Sequence, residues 1–294
     1  MRMMNRLAPS VCGAYFAAVV GIAMFSSDPL VHIFSLIFGA ITLALSGISR
    51  SLIKDAGFYL SLIAVLSVTN PLFVHRGDTP LFYVNGKAYT LEAAVYGADM
   101  AATLVAALIW FRLFSEIMTA EKIASLFRGR FSGAASVFTL TLRYVPEFKI
   151  RYYEIGSAQK AAGLLSAETF MQRVRSALRV FFSLAVSSLE LSVRTAESIR
   201  ARGGTLDGRT VFPRYRHTTA GAFVLSISVI STALFVIGAV RNGSICEFYP
   251  YIYFRPQAAA ESAYAALCIL PVIFEVRERL KSVSYTHLTL PTIA

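Results

Sequence analysis

Six long apolar runs, separated by stretches that are richer in polar residues, dominate the pattern along the chain. A helix needs roughly 20 mainly apolar residues to cross a membrane, because it rises about 1.5 Å per residue and satisfies its own backbone hydrogen bonds. The pattern therefore predicts an all-α fold, a polytopic membrane helix bundle with about five or six transmembrane helices. The predicted spans cover residues 11–27, 30–48, 56–74, 91–115, 219–240 and 258–276.

The stretch between the fourth and fifth predicted spans has a different, amphipathic pattern. Within Ala134–Ala162, apolar residues recur at intervals of three and four, which puts them on one side of a helix. Arg143, Glu147 and Arg151 are spaced to pair at intervals of four on another face. Pro146 predicts a kink in this helix, since proline lacks an N–H and its ring clashes with the previous turn. The apolar residues are Val137, Leu140, Tyr144, Phe148, Tyr152 and Ile155.

A second amphipathic stretch runs from Thr169 to Arg202 and, at about 1.5 Å per residue, predicts a helix roughly 50 Å long. Its ends are charged, whereas Val180–Leu189 carries no charge and is mostly apolar. A helix with this pattern can lie against the inner surface of a membrane, with its middle in contact with lipid and its basic end in the cytosol. Segment 118–217 is therefore expected to contain long amphipathic cytoplasmic helices.

The composition indicates a membrane protein. The 294 residues are 56% hydrophobic and only 15% charged, which is too apolar for an ordinary soluble domain. The net charge of +11 does not indicate a nucleic-acid partner, because the basic residues collect in particular loops. Segment 118–217 alone holds sixteen basic and seven acidic residues. Membrane lipids are the expected surroundings, and the three cysteines, an odd number, indicate no disulfide framework.

Loop charges orient the predicted bundle, because cytoplasmic loops carry an excess of lysine and arginine. Basic residues precede the first span, separate the second from the third and follow the sixth, whereas the opposite loops have fewer. This predicts a multi-pass protein of the bacterial cytoplasmic membrane with both termini inside. Arg2 and Arg6 before Val11–Phe25 also fit a secretory signal peptide, but no small-x-small cleavage site follows and a second apolar run begins almost at once.

These patterns divide the chain into four parts. They are transmembrane helices one to four in 1–117, the cytoplasmic helical region in 118–217, the C-terminal transmembrane helices in 218–281 and a tail in 282–294. The tail changes character abruptly after a basic stretch. Its run from Val283 to Pro291 looks like translated adapter or vector sequence, so the tail is interpreted as non-native.

Patterns typical of catalysis or metal binding are missing from the sequence. Gly86-Lys87 has Leu81 where a phosphate-binding loop needs its first glycine. The four histidines are scattered without metal-ligand spacing, and no Ser, His and Asp set stands out. Asp99 is the acid furthest inside a predicted span; it and His32 are interpreted as packed polar residues, with a functional role as the alternative. The chain is therefore expected to be a non-catalytic subunit without a metal or a cofactor.

Both amphipathic stretches end in the same way, with small residues, a basic residue and glycine. The first ends with Ser157–Gly163 and the second with Glu197–Gly204. Locally this is a helix stop, in which glycine takes the left-handed conformation after the last turn and basic side chains complement the negative end of the helix dipole. The repetition within one membrane protein suggests in addition that the two ends share a role.

Short motifs occur in order along most of the chain. They are Arg6-Leu7-Ala8-Pro9, Asn70-Pro71-Leu72-Phe73, Tyr89-Thr90-Leu91-Glu92-Ala93-Ala94, Thr119-Ala120-Glu121-Lys122-Ile123, Leu142-Arg143-Tyr144-Val145-Pro146-Glu147 and the two glycine endings. Together they resemble the transmembrane T component of energy-coupling factor (ECF) transporters, a family that includes the cobalt-transport permease type. The order and spacing of the set carry the resemblance, since each motif alone is weak.

The resemblance implies the coupling subunit of an ECF-type ABC importer for a vitamin or a metal ion. Two cytoplasmic ABC ATPase subunits and a substrate-binding membrane S component would be its partners. In the family, the arginine of each paired Ala-Arg-Gly motif inserts into a groove on an ATPase subunit. The ATPase-binding residues that the resemblance implies are Ala158, Lys160, Ala161, Gly163, Arg200, Ala201, Arg202 and Gly203, with Pro146 as the coupling-helix kink.

Two positions depart from the family pattern: Ala162 stands where the first motif has arginine, and Ala8 replaces the usual acid of the entry motif. Contact with one ATPase would then be weaker, or Lys160 would substitute for the arginine.

Two other classes of protein stay open. One is the membrane domain of a conventional ABC transporter, in which a short loop usually replaces the two long helices. The other is an integral-membrane enzyme acting on lipid head groups, which needs clustered carboxylates or histidines at the interface.

Overall fold

The computed structural model describes residues 4, 7–46, 49–84, 87–127, 132–164, 169–204, 206, 218–242 and 246–288. Arg2 and Arg6, which help to orient the predicted bundle, and the tail residues 289–294 lie outside these residues. The helices are α1 (Pro9–Phe25), α2 (Pro29–Leu45), α3 (Ser49–Phe73), α4 (Leu91–Ile117), α5 (Ala120–Phe127), α6 (Ser132–Ala161), α7 (Phe170–Ala201), α8 (Thr219–Asn242) and α9 (Ala258–Leu288). The strands are β1 (Pro80–Val84), β2 (Lys87–Thr90), β3 (Cys246–Glu247) and β4 (Tyr253–Phe254).

The fold is an all-α bundle, as the apolar runs predict, and each predicted span falls on a helix. Helices α1 and α2 have 17 residues each, or about 25 Å, which is shorter than the roughly 30 Å of membrane hydrocarbon. Five segments of the described chain are long and apolar enough to cross a membrane: Asp55–Phe73, Leu91–Ile117, Phe170–Ala201, Thr219–Arg241 and Ala258–Leu280. This set rests on length and composition, and it includes α7, which the loop charges predict to be cytoplasmic.

The chain divides into two compact units. The bundle unit combines Met1–Thr119 with Tyr215–Ala294, and the basic unit is Ala120–Arg214. In the bundle unit, α3 packs mainly against α4, and α2 packs against both α4 and α9. Helix α1 contacts α4 and α8, while α8 contacts α9. Each helix of the bundle therefore has at least two neighbours, although the chain between α4 and α8 belongs to the other unit.

Close packing of α3 against α4 depends on Gly97. A Cβ atom at this position would lie 2.8 Å from the Cβ of Asn70 and 2.8 Å from the backbone oxygen of Leu66. A small residue lets two membrane helices approach where hydrophobic driving force is weak. The Asn70 side chain also donates to the Ala93 backbone oxygen at 2.7 Å, and Arg112 of α4 pairs with Asp55 of α3. These contacts join α3 and α4 into one antiparallel pair.

The core of the bundle unit is aromatic and is held by buried hydrogen bonds. Trp110 of α4 is fully buried beside Tyr15 and Phe16 of α1. Its indole N–H donates to the Ser35 hydroxyl of α2 at 2.9 Å. The Tyr15 hydroxyl donates to the Leu267 backbone oxygen of α9 at 3.1 Å. Because an unsatisfied polar group is costly in an apolar interior, these bonds fix the order of the helices.

One end of the bundle unit, called the hairpin end, carries the strands. Helices α1 and α3 end here, and α2 and α4 begin here, with β1 and β2 pairing antiparallel between α3 and α4. The Glu92 carboxylate, in the first turn of α4, accepts hydrogen bonds from the Thr79 hydroxyl at 2.6 Å and from the Thr79 N–H at 3.2 Å. The hairpin is thereby closed onto the start of α4.

The basic unit contains α5, α6 and α7 and consists of two long helices preceded by a short one. Helix α6 continues through Pro146, so the helix is not broken there, and the kink expected at this residue stays a prediction. Of the two pairings with Glu147 predicted from spacing, that of Arg151 is present, at 3.2 Å, whereas that of Arg143 stays a prediction. A capping box at Thr169 starts α7, in which the Thr169 and Gln172 side chains each accept a hydrogen bond from the other residue's backbone N–H.

Candidate functional site

The two glycine endings of the basic unit have the same backbone geometry. Gly163 after α6 has φ +73° and Gly203 after α7 has φ +74°. At the first end the Leu164 N–H donates to the Gln159 oxygen at 3.0 Å, and the Gly163 N–H to the Lys160 oxygen at 3.0 Å. These two bonds form a Schellman cap, in which glycine avoids the strain that a Cβ meets at positive φ. The predicted left-handed glycines are therefore confirmed.

The second end repeats the cap, with the Gly204 N–H on the Ile199 oxygen at 2.9 Å and the Gly203 N–H on the Arg200 oxygen at 3.0 Å. Because the two caps have matching hydrogen bonds, Arg202 corresponds to Ala162, and Arg200 corresponds to Lys160. The missing arginine of the first ending is thus a difference at one structurally equivalent position, and Lys160 occupies the position two residues before it.

All predicted contact residues at these ends are accessible. The side chains of Lys160, Arg200 and Arg202 are exposed, and no described residue forms a hydrogen bond or an ion pair with the Arg202 guanidinium. The neighbouring Ala161 and Ala201 are exposed as well. Each end therefore presents a narrow, small-residue tip, and the second tip carries two arginines that are available to a partner.

Helices α6 and α7 run antiparallel, and polar side chains join them. Tyr144 donates to Thr195 at 2.7 Å, Arg151 donates to Ser187 at 2.8 Å, and Gln159 donates to Ser183 at 3.1 Å. Ser183, opposite the end of α6, precedes Gly203 by about 20 residues of helix, or roughly 30 Å. The two glycine ends therefore lie at opposite ends of the pair.

A stripe of exposed apolar side chains follows α7 on a face that does not contact α6. Among its members, Phe182 is 62% exposed and Leu189 is 69% exposed. The stripe comprises Met171, Val174, Leu178, Phe181, Phe182, Val186, Leu189 and Val193. Apolar positions at intervals of three and four on a helix of this length need lipid or a protein partner to cover them. The basic unit thus has two polar tips and one apolar face between them.

The bundle unit contains a buried pair that sequence reasoning treated as two separate residues. His32 of α2, only 2% exposed, lies with Nδ1 2.7 Å from Oδ1 of Asp99 on α4. Its Nε2 lies 3.1 Å from the Ala23 backbone oxygen. Because a carbonyl oxygen only accepts, Nε2 is the donor in the contact with Ala23. The pair gives each of two ionisable groups inside the bundle a hydrogen-bond partner, which such residues need in membrane helices.

A second carboxyl at the hairpin end is buried outside the helices. Asp28, in the connection between α1 and α2, accepts the Leu30 N–H at 3.0 Å and is fully buried. Glu261 of α9 faces it and accepts the Gln257 N–H at 2.7 Å. Burial and the nearby Glu261 carboxylate raise the pKa of Asp28 to about 6. Asp28 therefore changes charge near neutral pH.

With this geometry, the class of the protein is established: the chain is a multi-pass α-helical membrane protein. Neither a protein-family model nor a curated protein matches its sequence.

Proposed function

We propose that this chain is the T component of an ECF-type ABC importer. In this role it binds two cytoplasmic ATPase subunits, which bind and hydrolyse ATP, and a small substrate-binding membrane subunit, which carries a vitamin or a metal ion. The chain itself transmits motion and performs no catalysis. The observation that carries the proposal is the pair of identically capped helix ends at opposite ends of one antiparallel helix pair.

The spacing of the two ends suits a dimeric motor. Two ATPase subunits that move relative to each other need two separate contact points on the subunit they drive. The exposed ends after α6 and α7 are about 20 residues of helix apart, or roughly 30 Å, and both are narrow enough to enter a groove. Their common Schellman geometry means that the same kind of groove would accept either end.

Arg202 is the residue best suited to anchor an ATPase. A guanidinium offers five donors in a planar fork, and it holds carboxylate or carbonyl oxygens in fixed geometry. It stands at the cap of α7 with Ala201 and Gly203 on either side, so the backbone can approach closely. Ala162 at the equivalent position offers no such group. We therefore expect the end of α7 to bind its ATPase more strongly than the end of α6.

The charges of α7 favour a position along the inner membrane surface over a transmembrane one. Its uncharged centre, Val180–Leu189, has ten residues, or about 15 Å, which is half the thickness of membrane hydrocarbon. A crossing helix would bury Arg179 or Glu190 near the middle of the membrane, at several kcal/mol. When α7 lies along the surface, these charges stay in contact with water, and its apolar stripe is covered by lipid or by the substrate-binding subunit.

This topology puts the N-terminus and the basic unit on the cytoplasmic side of a bacterial inner membrane. The surplus of nine positive charges in segment 118–217 supports that orientation, since cytoplasmic segments retain lysine and arginine. The hairpin end then faces the outside.

Arg202→Glu tests the proposal. The tagged chain is purified from native membranes in mild detergent, and the co-purifying proteins are identified by mass spectrometry. We expect two ABC ATPase subunits with the wild-type chain, and at least tenfold less of one of them with Arg202→Glu, because a central interface arginine is worth about 2 kcal/mol or more. Expression and membrane insertion should be unchanged, since Arg202 is exposed.

Lys149→Glu is the matched control, because Lys149 is an exposed base of α6 far from both ends. It should retain both ATPase subunits. Adding Lys160→Ala to Arg202→Glu measures whether Lys160 contributes at the other end. The proposal is wrong if no ATP-hydrolysing subunit accompanies the wild-type chain, or if labelling finds the two glycine ends on the outer face of the membrane.

A further inference from the structure

A groove of about 1030 Å³ opens at the hairpin end of the bundle unit. One face of α4 forms its wall, with lining residues at intervals of three and four: Tyr96, Asp99, Met100, Thr103, Leu104 and Ala107. From the first to the last of these, α4 rises roughly 16 Å, about half the thickness of membrane hydrocarbon. The groove therefore has the depth of one lipid leaflet.

The lining changes from polar to apolar with depth. Arg76 and His75 stand at the mouth, in the segment between α3 and β1, and Asp99 lies below them on α4. Deeper in the groove, Met100 and Leu104 are 51% and 45% exposed, so this part is open sideways to the hydrocarbon. A polar upper part above an open apolar channel matches a molecule with a polar head and a long apolar chain.

The polar groups of the groove are available to such a molecule. His32 is the only hydrogen-bond partner of the Asp99 carboxyl group among the described residues, and it uses Oδ1, so Oδ2 is left as an acceptor. The Arg76 side chain is exposed and forms no ion pair with any residue that the structure describes. At the mouth, the Arg76 guanidinium can bind a phosphate. Below it, the Asp99 carboxyl group can accept a hydrogen bond from an N–H or O–H donor.

We propose that this groove is a binding site for one phospholipid whose phosphate meets Arg76, whose head group turns inward from the phosphate to donate an N–H or O–H to Asp99, and whose chain lies along Met100 and Leu104. Phosphatidylethanolamine and phosphatidylglycerol have such donors, whereas phosphatidylcholine has none. The site is separate from the glycine ends, and it stands whether or not an ATPase binds there.

The test is a lipid titration of the purified full-length chain in detergent, followed by native mass spectrometry. Phosphatidylethanolamine, phosphatidylglycerol and phosphatidylcholine are compared with the same acyl chains. We expect one phosphatidylethanolamine or phosphatidylglycerol per chain, bound about tenfold more tightly than phosphatidylcholine, since a hydrogen bond to a charged group is worth roughly that factor. Arg76→Gln should weaken phosphatidylethanolamine binding about tenfold for the same reason.

Arg241→Gln is the matched control, because Arg241 is an exposed arginine of α8 that does not line the groove. It should bind lipid as the wild type does. Leu104→Trp fills the channel and should remove the bound lipid, with folding checked by size-exclusion chromatography. Equal binding of phosphatidylcholine and phosphatidylethanolamine would overturn the proposal, as would an unoccupied wild type, a lipid retained by Leu104→Trp, or equal binding by Arg76→Gln and Arg241→Gln.

Discussion

Replacing Asp28 with asparagine should stabilise the bundle unit at alkaline pH and leave it unchanged at acid pH. The carboxyl is buried in the connection between α1 and α2, with Glu261 of α9, His32 of α2 and the Cys246 thiol as its titratable neighbours. Its pKa rises from 3.8 to about 6 in the folded protein. The folded protein therefore holds the proton more tightly than the unfolded chain does.

The sign and the size of the effect follow from this difference. Stability falls as pH rises from about 4 to about 6, and the whole cost is present above pH 6, where folded Asp28 is ionised. A shift of about two pKa units corresponds to roughly 3 kcal/mol. Asparagine removes the charge and keeps an oxygen that accepts the Leu30 N–H. At pH 8, Asp28→Asn should therefore raise the melting temperature by about 6 °C.

Trp110, the single tryptophan of the chain, reports this transition because it is buried in the core of the bundle unit. Thermal unfolding is followed by its fluorescence in detergent at pH 8 and at about pH 3, below both pKa values of Asp28. Glu247→Gln removes an exposed carboxylate at the same end of the bundle and should have no effect at either pH. The reasoning fails if Asp28→Asn gives the same gain at both pH values, or if it destabilises the protein at pH 8.

Two further substitutions test the packing and the helix ends. Gly97→Ala should lower stability by about 1–3 kcal/mol in the same fluorescence assay, because the new Cβ overlaps Asn70 and Leu66. Gly57→Ala, with open space at its Cβ, should be neutral or slightly stabilising. An equal loss from both substitutions would contradict the packing argument. Ala162→Arg should increase the amount of co-purified ATPase several-fold, because both helix ends then carry an arginine at the cap. Ala196→Arg, at an exposed position within α7, should not increase it. No gain from Ala162→Arg would show that the two ends do not bind equivalent grooves.

Elements governed by neighbouring residues could be predicted from the sequence. The apolar runs predicted every helix of the bundle unit, because a helix of about 20 apolar residues satisfies its own backbone hydrogen bonds in lipid. The glycine ends also followed from local chemistry, since a Schellman cap involves only six consecutive residues. The Glu147–Arg151 pair was similarly local, four residues apart on one helix face.

Contacts between distant helices could not be predicted in the same way. His32 and Asp99 are 67 positions apart, and their pairing depends on how α2 meets α4 around Trp110. The sequence did contain one indication of this pair, because an ionisable residue inside a membrane span needs a polar partner. On that ground, His32 and Asp99 could have been predicted to contact each other. The antiparallel register of α6 and α7 gave no signal of that kind, since several serines and threonines of α7 could have faced Tyr144 or Gln159.

The side-chain bonds along α6 and α7 have a mechanical consequence. The hydrogen bonds of Tyr144, Arg151 and Gln159 join the two helices over about half the length of α6, and helices joined in this way tilt as one body. When such a body pivots about its middle, one tip must descend as the other ascends. Two proteins bound to opposite tips would then be displaced in opposite directions.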